Sequence, residues 1–367
     1  MIAILLAGLV LAQPTVPSTT PPSSPSPAAQ PETSAGKAAP TPLAEAALAN
    51  LTDRLIGRGV GAYYTAQRFM EWIVEANPTD ADAVKQLREE WDREAKPGHD
   101  ALIKLMASRK HTDEETVLKG LPPLMDKSLA AMKAKLKQSD FHEMITERRL
   151  DVRTQPADAA AFWYMFDPAR RGDDMTLVSA GKVRKVQAQL FAEGGKEAGV
   201  DFTVPLSWNV MRERPGQFSV SENAGLGPLL ITLLCTPIAP GVEADPMKLV
   251  AGAAAAPDEP DPKVTATTFL GRPAGRASKL QVTPSGKERV CGLYEFTVAV
   301  NGGKMVAVMV TVGASSKPGE CDYTREELAA YAEQRRAVID AVLGSMKAVD
   351  LPVKEPAKAE PAIAPAK

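Results

Sequence analysis

The chain has 367 residues, and its 43 Lys and Arg against 45 Asp and Glu leave a formal charge of −2. That balance supplies no field to draw in nucleic acid or anionic lipid, so neither is an expected partner. Aromatic residues make up only 5% of the chain, too few for a base-stacking platform, while 31 Pro crowd toward the two ends and leave room between them for two domains.

Met1–Ala12 is apolar but too short to span a bilayer, which takes about 20 residues, and it reads as a secretory signal with a small-residue cleavage site at Val10-Leu11-Ala12. Residues 13–42 are rich in Pro, Ser and Thr and cannot bury enough apolar surface to fold; they read as a linker. The expected location is extracytoplasmic, periplasmic or secreted. Cleavage removes any membrane attachment, and an uncleaved leader leaves the folded part tethered.

Residues 43–155 read as a helical bundle. Leu48, Leu51 and Leu55 share one face, Gly57-Arg58-Gly59-Val60-Gly61 predicts a helix break, and periodicity resumes at Ala66, Phe69, Met70 and Ile73. A helix carrying Val84, Leu87 and Trp91 is expected to end at Pro97-Gly98. Leu102, Leu105 and Met106 mark the next. Thr112-Asp113-Glu114-Glu115 caps a short helix that stops at Gly120-Leu121-Pro122-Pro123, and Met125, Leu129, Met132 and Leu136 form a further stripe. Asp140-Phe141-His142-Glu143 reads as one more cap. Pro156 to Phe166 is a short helix whose aromatics Phe162, Trp163, Tyr164 and Phe166, beside a domain boundary, serve packing between the halves or a binding site.

After Met175 the pattern turns extended. Val183 to Phe191 is strand or helix; Val200–Val204, Gln217–Val220 and Leu229–Cys235 are strands; Asp245-Pro246 opens a helix. Residues 264–282 hold two extended runs around Gly271. Val290 to Val312 is a hairpin turning near Asn301-Gly302, with Tyr294, Phe296, Val298 and Val300 on one face and Val306, Val308, Val310 and Val312 expected to match them. Thr324 and Glu327 cap a final helix whose stripe runs Leu328, Tyr331, Ala332, Arg335, Val338, Ile339, Val342 and Met346, a natural cover for the hairpin. Residues 349–367 read as a disordered tail.

The run Pro205-x-x-Trp208-x-Val210, the turn Gly271-Arg272-Pro273-Ala274, the long hairpin and the closing Val342 to Lys347 segment resemble the PsbP/DcrB-like domain over residues 176–348. The resemblance implies an α+β class: an antiparallel sheet with packed helices, following the helical bundle. It also implies a binding or accessory module without catalytic residues.

No catalytic set assembles from the residues, and no cofactor or metal is expected. His99, His111 and His142 all lie in the helical half, which leaves the second half without a His-activated nucleophile of its own. Ser179-x-x-Lys182 lacks the companion motifs of the acyl enzymes that use that spacing. The expectation is a non-enzymatic envelope protein binding a protein or envelope component. The alternative is a hydrolase with His142 and Glu143 facing the second domain. Cys291 and Cys321 are the candidate disulfide, Cys235 a buried thiol; three reduced Cys is the other reading.

Overall fold

The computed structural model describes residues 51–155, 157–170, 173–193, 196–214, 216–255, 262–282, 290–301, 303–313 and 323–351. The expected leader, the linker, Gly302 and Cys321 lie outside them. The molecule is α+β, a helical half followed by antiparallel sheets with packed helices.

The helical half contains α1 (Asp53–Ala76), α2 (Ala81–Glu94), α3 (Lys96–Arg109), α4 (Glu114–Lys133), α5 (Gln138–Thr146) and α6 (Ala157–Met165). Three expected breaks differ from what is observed. The Gly57–Gly61 cluster does not interrupt α1. Its central glycine is needed for contact, because a Cβ on Gly59 would lie 2.9 Å from Leu102 Cδ1 and 3.2 Å from Phe162 Cβ. Pro97-Gly98 does not end α2, which stops at Glu94; it lies in the first turn of α3, where the missing N–H of proline leaves no bond unmade. Pro122 and Pro123 lie inside α4, which continues because Val117, Leu121, Met125 and Leu129 keep one buried stripe across them. The cap of α5 sits at Lys137, three residues before the expected Asp140; the Asp140 carboxylate accepts from the Lys137 N–H at 2.7 Å.

A short helix, α7 (Asp174–Ser179), leads into the sheets. Strands β1 (Val183–Glu193), β2 (Lys196–Pro205) and β10 (Lys347–Leu351) form a three-stranded sheet in the order β1-β2-β10. The other strands are β3 (Asn209–Arg214), β4 (Gln217–Ser221), β5 (Leu229–Pro237), β6 (Thr265–Phe269), β7 (Arg272–Val282), β8 (Val290–Asn301) and β9 (Lys304–Val312), in the order β3-β4-β5-β9-β8-β7-β6. Every pairing is antiparallel. Val183 to Phe191 thus resolves as strand, and β10 runs into the segment expected to be tail.

The hairpin corrects one expectation about faces. Asn301 pairs with Lys304, so every even-numbered residue of β8 opposes an odd-numbered residue of β9. Val306, Val308, Val310 and Val312 therefore oppose Ala299, Thr297, Glu295 and Leu293, not the Tyr294 to Val300 row. Their face joins the main core with Val186, Ala188 and Leu190 of β1 and the apolar stripe of α9 (Arg325–Gln334) and α10 (Arg336–Gly344). The opposite face, with Phe296, Val298 and Ala307, is covered by Val250 and Ala254 of α8 (Pro246–Ala254). Both faces of the hairpin are thus occupied.

Candidate binding site at the boundary of the two halves

The chain passes from bundle to sheets through residues whose buried charges pair with one another. Asp174, the first residue of α7 and fully buried, lies 2.7 Å from Arg170 Nη2 and accepts from Ser207 Oγ at 2.7 Å and Trp208 Nε1 at 2.9 Å. Arg170 donates to the carbonyl of Met165 at the end of α6 and to Asn223 Oδ1 at 2.7 Å. Asn223 and Ala224 both have positive φ, a strained backbone for side-chain-bearing residues, and the Ala224 N–H donates to the Ser207 carbonyl at 2.7 Å.

Beside them, buried Glu222 accepts from the Tyr331 hydroxyl and, at 3.1 Å, from the Leu229 N–H, and it lies 3.2 Å from Arg335 Nε. Burial pushes the Glu222 carboxyl up while Arg335 opposes it; burial pulls the Arg335 guanidinium down, but the Glu222 charge outweighs it and keeps the arginine charged. Ala224 and Leu206, both from the sheet half, pack into the helical core. The contact between the halves therefore combines apolar packing with a paired ionic centre.

A cleft of about 320 Å³ opens on the same boundary, between the turn Val152–Thr154 of the helical half and strands β1, β3 and β4. Arg153, Gln155, Arg184, Lys185 and Gln187 line it, with Phe218 among its apolar residues. Arg153 donates to the Gly181 carbonyl at 3.2 Å and lies 3.7 Å from Glu94. Nearby, Lys182 Nζ is 3.0 Å from Asp167 and 4.0 Å from Glu94. Arg184 falls on the same side of β1 as Val186, Ala188 and Leu190 by the two-residue period of a strand. Its Nη2 is buried without a hydrogen-bond partner, and burial lowers the guanidinium pKa.

A second cavity of about 260 Å³ lies where the two sheets part, lined by Leu190, Phe269, Leu270, Val306 and Val349 with Arg272 and Asn301.

The residues singled out from the sequence fall as follows. Phe162, Trp163 and Tyr164 are buried in the helical core; Phe166 is partly buried against it. Trp163 Nε1 donates to the Gly59 carbonyl at 2.8 Å, its ring meets Trp91 edge to face at 5.1 Å, and a Cβ on Gly98 would lie 1.7 Å from its carbonyl oxygen. The helix bearing them, α6, touches β3 and the Asn223–Gly225 turn. Cys291 is disulfide-bonded and Cys235 is a buried thiol. The Val290 N–H donates to the Tyr323 carbonyl at 2.8 Å, which sets the chain before α9 beside the start of β8.

His142 Nδ1 lies 3.1 Å from Asp80, within the helical half; His99 is buried there and stacks on Tyr63 at 4.1 Å. Neither cavity is lined by a histidine. Lys182 of the Ser-x-x-Lys spacing is directed to Asp167. The sequence reading did not single out Arg153, Arg184, Asp174 or Glu222. A signal existed for Arg184, which begins the apolar row of β1; Arg335, already named in the final stripe, interrupts its apolar run.

No family model and no curated protein matches the chain. Among the solved structures partly similar to it are the following two. One, from Bacteroides thetaiotaomicron, is 12% identical with a TM-score of 0.26 and covers 45% of this chain; the match spans 49% of that protein, about half its length. The other is LpqN, involved in cell envelope biogenesis of Mycobacterium tuberculosis, 12% identical with a TM-score of 0.24, covering 48% of this chain and 96% of LpqN. Likeness of this degree decides neither the PsbP/DcrB resemblance nor a function. Among the described residues no helix is long and apolar enough to cross a membrane.

Proposed function

We propose that the chain is an exported, non-enzymatic binding or accessory protein of the cell envelope, with a PsbP/DcrB-like second half, that holds a protein or envelope component at the boundary of its two halves. The observation that carries this reading is the boundary itself, which holds both a paired ionic centre, Arg170 with Asp174 and Arg335 with Glu222, and an open cleft. Replacing buried ion pairs by apolar groups is often neutral or stabilising, so such a centre is better suited to setting geometry than to adding stability. A surface held in one geometry before binding loses less entropy on capturing a partner. The apolar leader, the Pro-rich linker and the disulfide at Cys291 support an oxidising, extracytoplasmic setting.

Two measurements test this. Cell fractionation with thiol counting on denatured protein is expected to find the chain outside the cytoplasm with one thiol before reduction and three after, as pairing of Cys291 with Cys321 requires. Immobilised full-length protein is expected to retain an envelope component at physiological salt that the exposed-rim variant Lys185→Glu does not. A cytoplasmic chain with three thiols, or retention identical for both proteins, overturns the proposal.

A further inference from the structure

We infer that the boundary cleft is an oxyanion site, in which Arg184, supported by Arg153 and Lys185, receives a carboxylate or phosphate group of the ligand. The inference rests on the binding reading above and names the chemistry of its ligand.

The position of Arg184 carries the argument. A long cationic side chain ordinarily runs its stem along apolar surface and leaves its head in water. Arg184 is half-buried and does so only in part: its strand places it in the inward row with Val186, Ala188 and Leu190, and its Nη2 is shut off from water. A guanidinium nitrogen cut off from water calls for an acceptor, yet no carboxylate among the described residues lies within ion-pair distance of Arg184. Asp158, whose charge reaches Arg184, is 3.6 Å from Arg58 instead. The contrast with Arg170 and Arg335, each buried and each supplied with a carboxylate, shows that this fold pairs its interior cations where the role is structural.

The surroundings favour an incoming anion. Arg153 and Lys185 line the same cleft; Lys185 is exposed, and Arg153 reaches Glu94 only at 3.7 Å. The Tyr164 hydroxyl, kept protonated by burial, is also without a hydrogen-bond partner. The planar fork of a guanidinium matches the two oxygens of a carboxylate or phosphate, which a lysine in that place would not. The volume of about 320 Å³ admits a small acid or the head of a larger ligand.

The test measures thermal unfolding of the full-length protein at low ionic strength, with inorganic phosphate or succinate titrated against sodium chloride of matched ionic strength. In the wild type, phosphate, succinate or both are expected to raise Tm saturably beyond the chloride control; which of them does so identifies the source of the oxyanion. Arg184→Met, which removes the unpaired charge and keeps the volume, is expected to be more stable than wild type in chloride and to need at least about tenfold more anion for any response.

The inference is overturned if neither anion exceeds chloride in the wild type, if variant and wild type respond alike, or if Arg184→Met is the less stable protein in chloride. Should Arg184→Met not fold, Lys185→Gln replaces it, with a weakened anion response expected and an unchanged one overturning the inference. Retention of an envelope component without any anion response would remove the oxyanion and leave the binding reading in place; an anion response without retention would do the reverse.

Discussion

Glu295 shows how one residue acquires its environment from register. It opposes Val310 on the core-facing side of β8, lies 2.6 Å from Arg276 Nη2, and accepts from Arg336 Nη1 at 3.0 Å and Nη2 at 2.5 Å. Burial alone would raise its carboxyl, but the hydrogen bonds and charges of Arg336 and Arg276 outweigh it and hold the group below the usual carboxylate range. A depressed folded-state pKa contributes stability that is fully present above the unfolded value and is lost as pH falls through the folded one. Glu295→Gln is therefore expected to lower stability by about 1–2 kcal/mol at neutral pH, a figure reduced for the exposure of Arg276, with the difference shrinking below about pH 4. Urea titrations of both proteins at neutral and acid pH would check this; a difference independent of pH would contradict it.

Among the elements, α4 sets local propensity most plainly against packing. Proline inside a helix removes a hydrogen bond and crowds the preceding turn, so Pro122-Pro123 read as a stop. The stripe Val117, Leu121, Met125 and Leu129 crosses them without a change of phase, and its burial outweighs the local cost. Pro123 is exposed, so Pro123→Ala restores an N–H donor to the helix without touching the core. A rise in stability of about 1–2 kcal/mol is expected, the helix gain being partly offset by a freer unfolded chain. A variant no more stable than wild type by thermal melting would show that the helix has already adapted to its prolines. The glycines and aromatics of the bundle also form one feature: Gly59 and Gly98 let the chain close on Phe162 and Trp163, a pairing across 104 residues in the Trp163 to Gly59 hydrogen bond that no local pattern announces.

Across the whole molecule, the ionic centre at Asp174 ties the helical half to the sheets. Removing its carboxylate leaves Arg170 buried with only neutral partners, Asn223 and the Met165 carbonyl, and leaves the Trp208 indole N–H without its acceptor. Asp174→Ala is expected to cost about 3–5 kcal/mol and to split a single calorimetric unfolding transition into two, as the halves lose their coupling. One undivided transition at nearly the wild-type temperature would show that the apolar contact through Leu206 and Ala224 is sufficient without the charges.

The features that the sequence by itself determined are those set within a few residues. The Asp245 and Thr324 caps accept where expected, at 2.8 and 3.1 Å, because a cap needs only its own turn, while the cap of α4 falls on Asp113, one residue after the Thr112 of the expected box. The clearer strands of the second half, such as Gln217–Ser221 and Leu229–Pro237, followed from local β-rich runs for the same reason, whereas β1 was ambiguous, β10 fell in the expected tail, and the α+β class was what the resemblance implied. Tertiary structure decided the rest. Whether the glycines of α1 break a helix or seat an aromatic depends on what lies opposite, and which valines share a face depends on a pairing offset of one residue across the turn at Asn301. The site was the least legible feature, since Arg184 and Arg335 are single charges in apolar rows whose meaning rests on partners far away in the chain. Arg335 finds Glu222 and Arg184 finds no such carboxylate among the described residues, a difference made by folding alone.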